Sequence, residues 1–128
     1  MEYSFYCYGH ENIRATHHKT LEFTKDTELS SGGTCIIGIN ADFDLHRLKQ
    51  LSGRIKVILE VDNLVESFTA IVNPEFGDER EAVFRKSAYP STRTLAHYLD
   101  KGAKELNREI VKLMRNRGSR MKVTITEL

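Results

Sequence analysis

Covalent and metal staples are scarce in this chain. Its two cysteines, Cys7 and Cys35, are too few and too far apart for a disulfide framework or a CxxC site. They read as small buried groups in a reducing compartment. Tryptophan is absent and proline occurs twice, at Pro74 and Pro90, so few rigid breaks divide the chain. The longest apolar runs, such as 35–39 and 57–59, fall far short of a membrane span. Met1 leads directly into a strand-like segment, so no secretory or transit peptide is expected and the cytoplasm is the expected location. An excess of one charge is missing too: 19 Lys and Arg face 18 Asp and Glu, a net charge of +1, so bulk charge names no partner. There is no GxSxG, HExxH, P-loop or Rossmann fingerprint.

What remains is ordinary globular material. At 128 residues, 40% hydrophobic and 29% charged, the chain suits one domain spanning 1–128 with a core that needs no staples. Tyr3, Phe5 and Cys7 alternate with more polar neighbours, the period of a half-buried strand, and 9–12 supply turn residues. A second strand is expected to carry Ile13, Ala15, His17, Leu21 and Phe23 on one face. Its other face would hold Arg14, Thr16, His18, Thr20, Glu22 and Thr24. Residues 26–33 read as a loop, 34–39 as a strand buried on both faces, and 44–51 as a short helix stopped at Gly53. Ile55, Val57, Leu59 and Val61 alternate strictly, and Asp62-Asn63 turns the chain into a hairpin partner over 65–72. A loop over 73–81 leads to a short strand over 82–86.

Leu95, Leu99, Leu106, Ile110 and Leu113 recur at helical spacing, which predicts one long helix announced by Pro90 and Ser91, capped by Ser91 or Thr94 and closed by Gly118. A last strand follows over 121–126. The expected architecture is mainly β with α (α+β by content): seven strands in an antiparallel sandwich or half-open barrel, covered on one face by the long C-terminal helix.

Certain residues resemble a known family. Gly9-His10, Asn12-Ile13, Thr16-His17, Thr20-Leu21-Glu22 with Thr24-Lys25, Cys35-Ile36-Ile37-Gly38 and Ala41-Asp42 look like the archaeal domain of unknown function 371. So do Arg93-Thr94-Leu95, Asp100-Lys101, Ala103 and Arg108-Glu109, so the likeness spans nearly the whole chain. It implies an archaeal cytosolic protein with a mainly β fold and implies no activity. Lys19, Thr34 and Gly102 depart from the family's threonine, acidic residue and alanine.

Three groups of residues invite chemistry. His17, in phase with the apolar residues, is expected to point into the core or a pocket, with His10 in the preceding turn. Together with Glu22 or Asp42 they would line a polar, enzyme-like or small-molecule site. Glu22 lies on the opposite strand face from His17, and His18 and Glu22 are separated by about 13 Å of strand rise, so no metal is expected. Thr16, His18, Thr20, Glu22 and Thr24 form either a solvated sheet face or a ligand-facing wall. The third group is basic. Lys101, Lys104, Arg108, Lys112 and Arg115 would share an arc of roughly 80° on the long helix. Between Arg93 and Lys122 nine basic residues face three acidic ones, whereas between Glu60 and Glu81 seven acids face one arginine.

The leading expectation is a small binding domain for an anionic partner, RNA or a nucleotide, held by the helix stripe and Arg93. One alternative is an enzyme or small-molecule binder using His10, His17, Thr20, Glu22, Arg93 and Lys101. Another is a homo-oligomer in which the basic helix meets the acidic segment of a second copy. The cofactor is unknown from the sequence.

Overall fold

A computed structural model describes residues 1–89 and 91–128. Eight strands form one sheet in the order β1-β8-β4-β5-β7-β6-β2-β3. They are β1 (Glu2–Tyr8), β2 (Thr20–Thr24), β3 (Ile36–Gly38), β4 (Arg54–Val61), β5 (Leu64–Val72), β6 (Glu81–Arg85), β7 (Thr94–His97) and β8 (Arg120–Glu127). Helix α1 (Leu45–Leu48) follows β3; a 3-10 turn (Ala103–Glu105) and helix α2 (Arg108–Met114) precede β8. The fold is mixed α+β with short helices.

The alternating segments behave as their side chains dictate. Ile55, Val57, Leu59 and Val61 are all buried, and Asp62-Asn63 closes a two-residue hairpin between Val61 and Leu64, with Asp62 at φ 53°. β1 contributes Phe5 and Cys7 to the core. Its partner is β8, in register from Glu2 opposite Thr126 to Tyr8 opposite Arg120. The expected hairpin of the first two strands does not form. Phe5 nevertheless meets Phe23 of β2 edge-on at 5.3 Å, and Phe23, Phe84 and Phe68 continue the chain of rings. Strands remote in the sheet order thus share one interior. At the ends of the sheet, a single bridge pairs Tyr8 with Ile39 through reciprocal backbone hydrogen bonds of 2.8 and 2.9 Å, but no continuous ladder closes it into a barrel.

Several expectations are corrected. There are eight strands in one sheet, and β2–β3 and β6–β7 are parallel. The second strand starts at Thr20, because Ala15 takes a left-handed φ of 49° and breaks the alternation upstream. The third spans Ile36–Gly38 alone. Among the described residues no long helix forms. Pro90 lies outside the described residues, but Thr94, Leu95 and Ala96 are all buried in β7, between β5 and β6. Gly102 is extended at φ −72° and ψ 171°, and a Cβ there would stand 2.1 Å from the His18 carbonyl oxygen. Helix resumes only at Arg108, capped by the Asn107 side chain, which accepts from the Glu109 N–H at 2.8 Å. Leu95, Leu99, Leu106 and Ile110 are buried as expected, on a path that passes from strand through a 3-10 turn into a short helix.

Gly9 marks another close approach. Its N–H donates to the Ser119 carbonyl at 3.0 Å, and an added Cβ would stand 2.1 Å from the Asn116 carbonyl oxygen. Backbone contacts of this kind cannot relax by a rotamer change. Gly9→Ala is therefore expected to cost roughly 1–3 kcal/mol, read as a lower urea midpoint; an unchanged midpoint would show that the α2–β8 turn yields freely.

Candidate functional site

Helix α2 aims residues at i, i+3, i+4 and i+7 to one side, which groups Arg108, Val111, Lys112 and the capping residue Arg115. The segment between β1 and β2 runs past this face and adds Arg14 and Thr16. Together these six line an open depression of about 470 Å³ that no carboxylate lines. Arg108 holds the two segments together. Its guanidinium donates to the carbonyls of Arg14 (2.9 Å), Ala15 (3.0 Å), Lys104 (3.0 Å) and Ala103 (3.3 Å). The left-handed turn at Ala15 presents those adjacent carbonyls to one side chain. Arg108 is thereby a clamp, while its charge still adds to the local field. Arg14, Lys112 and Arg115 are exposed. Among the described residues none of the three has a carboxylate within 4 Å. Arg115 donates to the Glu11 carbonyl at 3.3 Å, which orients it without neutralising it.

Other cations are spent on structure. Lys101 pairs with Glu66 at 2.8 Å and donates to the Ser67 carbonyl at 3.0 Å, while the Asp100 carboxylate accepts from the Thr69 N–H at 2.9 Å. The two side chains thereby cover the flank of β5 that β7 leaves unpaired. Arg117 bridges Glu11 at 2.7 Å and Glu28 at 3.0 Å. Its guanidinium holds both carboxyls below their ordinary range, Glu11 at about 2. Lys104 is exposed, and its backbone N–H donates to the His17 carbonyl at 3.0 Å. The five-residue stripe expected on one helix is thus split: α2 keeps Arg108, Lys112 and Arg115 together, and Lys101 is diverted to β5.

The histidines do not converge with Arg93. His10 is 1% exposed; its Nδ1 accepts from the Asn12 N–H at 3.0 Å, and its Nε2 faces Glu28 at 3.3 Å and Arg117 at 2.9 Å. Both ring nitrogens are occupied by the protein. His17, expected to point inward, is exposed beside the 3-10 turn, because the strand carrying the inward phase begins three residues later. Among the described residues no three His, Cys, Asp or Glu side chains are placed to share a metal ion.

Glu22 and Arg93 do meet, at 3.7 Å. Thr20, Glu22 and Thr24 are 7%, 4% and 1% exposed, so this side of β2 is no solvated face. The Glu22 carboxylate accepts from the Cys35 thiol at 3.5 Å and shares Arg93 with Glu81, to which the Arg93 Nε donates. Burial pushes the Glu22 carboxyl up to about 7, with repulsion from Glu81 adding to it. Burial and the neighbouring Glu22 push the Cys35 thiol up to about 12, which removes it as a nucleophile. Cys7 is wholly buried and its thiol is raised further still by the same desolvation.

A small mixed-sheet domain with a basic depression on the seven-residue helix α2 is the class these features define. The sequence matches the model of the family described as "Domain of unknown function (DUF371)" over residues 5–128, and the chain belongs to that family. It is 37% identical over 126 residues to an uncharacterized protein of Methanocaldococcus jannaschii, an alignment covering 90% of this chain and 92% of that protein. The resemblance read from the Gly9-His10 and Cys35–Gly38 segments is therefore correct. The motif residues acquire physical roles: Gly9 admits the α2–β8 turn, His10 seats Arg117 and Glu28, and Glu22 and Cys35 pack together.

Sequence reasoning missed Arg14 and Thr16 as members of the basic site. Both fall on the polar face of the expected second strand, and nothing local to 13–17 signals that α2 packs there.

Proposed function

We propose that this domain binds an anionic partner, RNA or a nucleotide, through phosphate groups held by Arg14, Lys112 and Arg115, in a cytoplasmic setting. The observation that carries the reading is the depression itself. Two chain segments remote in sequence bring their cations together there, with no acidic side chain among the lining residues, in a molecule whose net charge is only +1. Thr16 adds a hydroxyl. No helix of the described residues is long and apolar enough to cross a membrane.

The lining contains no aromatic ring and no buried amide to read a base edge, so affinity would come from phosphate charge and be largely indifferent to sequence. A salt titration of binding to single-stranded RNA tests this. Three contacting cations give a slope of log K against log salt of about −2. A slope near zero would mean that phosphate neutralisation is not what holds the ligand.

A further inference from the structure

A second depression is reached from the basic one by one step along the chain: Arg115 lines the first and the next residue, Asn116, lines the second. The second is larger, about 690 Å³, and its walls differ in chemistry: beside the cations Arg120 and Lys122 they carry the carboxylates Glu60 and Asp62, the Tyr6 ring and the polar side chains of Asn116 and Ser119. Tyr6 lies on β1 and Arg120 opens β8. Across that antiparallel pair the Arg120 guanidinium sits 4.5 Å from the centre of the Tyr6 ring.

Two carboxylates offset the two cations of the lining, so this is a poorer seat for phosphate than the acid-free depression on α2. They make it a suitable one for a nucleobase, whose exocyclic amino groups donate to carboxylates and whose face stacks on an aromatic ring or a guanidinium plane. Asn116 and Ser119 supply further hydrogen-bonding groups.

We infer that the depression at Tyr6 and Arg120 accepts an unpaired base of an RNA strand whose phosphates run along Arg115, Lys112 and Arg14. This rests on the phosphate-binding reading of α2 and extends it from an unspecified anion to single-stranded RNA. A duplex offers no free base face, so single strands bind more tightly than a duplex of the same sequence. A nucleotide-free polyphosphate occupies the basic depression and leaves the Tyr6 site empty.

The experiment compares the native protein with Tyr6→Leu and Tyr6→Phe, using a single-stranded RNA and inorganic polyphosphate as probes. Tyr6→Leu is expected to weaken RNA binding about tenfold, Tyr6→Phe to bind RNA as the native protein does, and all three to bind polyphosphate equally. If Tyr6→Leu binds RNA normally, base stacking at this site is refuted while phosphate binding stands. If it loses RNA and polyphosphate in the same proportion, the change acts on the fold or on the phosphate site, and the base site is again refuted. If native protein binds neither probe, the phosphate-binding reading falls and takes this one with it.

Discussion

The double charge reversal Lys112→Glu/Arg115→Glu is expected to weaken binding to single-stranded RNA at least 100-fold at about 0.1 M salt. Both side chains are exposed, so the exchange removes no core contact. Two of the three cations free to meet phosphate are lost, and each is replaced by a repelling charge at a distance where screening is incomplete. Loss of a charge-assisted hydrogen bond is typically worth 1.5–3 kcal/mol, and two such losses before repulsion already exceed two decades. The salt slope should flatten with it, because fewer counterions are released. Lys49→Glu/Lys56→Glu makes the same change in net charge at exposed positions outside the depression. If that control weakens binding equally, affinity follows total charge and the α2 depression has no special part in it.

The helix cations of this site are legible in the sequence, and Arg14 is not. Arg108, Lys112 and Arg115 lie within one short helix, and a 3.6-residue period places them together whether that helix is long or short. Lys101 was drawn into the stripe by the same arithmetic, although the chain around Gly102 is extended. Leucine spacing could not reveal this: Leu95, Leu99 and Leu106 are buried, and burial at intervals of four and seven is met equally by a strand, a turn and a 3-10 segment packed on one core. The signal that could have found the break was Gly102 itself. A glycine inside an apparent helix already costs about 1 kcal/mol relative to alanine, and here it answers the approach of the His18 carbonyl.

Alternation was a sound guide wherever one sheet face meets solvent, as in β4 and β8. It misled where a strand is covered on both sides. In β2 every residue is buried, so Thr20, Glu22 and Thr24 are enclosed although their residue types read as solvated. Partner strands are also set by tertiary closure: β1 chooses β8, the far end of the chain, over its neighbour in sequence.

Glu22→Gln is expected to stabilise the protein at alkaline pH and to flatten its stability profile. Glu22 is 4% exposed, and burial followed by the nearby Glu81 charge raises its carboxyl from the ordinary 4.5 to about 7. Between those values the folded protein holds a proton that the unfolded chain has released. Stability from this group is therefore fully present below pH 4.5 and is lost as pH rises through about 7. The gap between the two values corresponds to roughly 3 kcal/mol, large against the 5–15 kcal/mol typical of a whole domain. Glutamine is neutral throughout, so the variant should fall less steeply between pH 5 and 8 and exceed the native protein at pH 8. Arg93 attracts the ionised form from 3.7 Å, which opposes the effect but is divided between two carboxylates. Glu81→Gln removes the charge that repels ionised Glu22 and leaves Arg93 to Glu22 alone; both changes draw the Glu22 carboxyl back toward its ordinary value, so the fall should shrink. Urea midpoints from pH 5 to 8 measure all three proteins, and parallel native and Glu22→Gln profiles would show that Glu22 ionises in the fold at no cost.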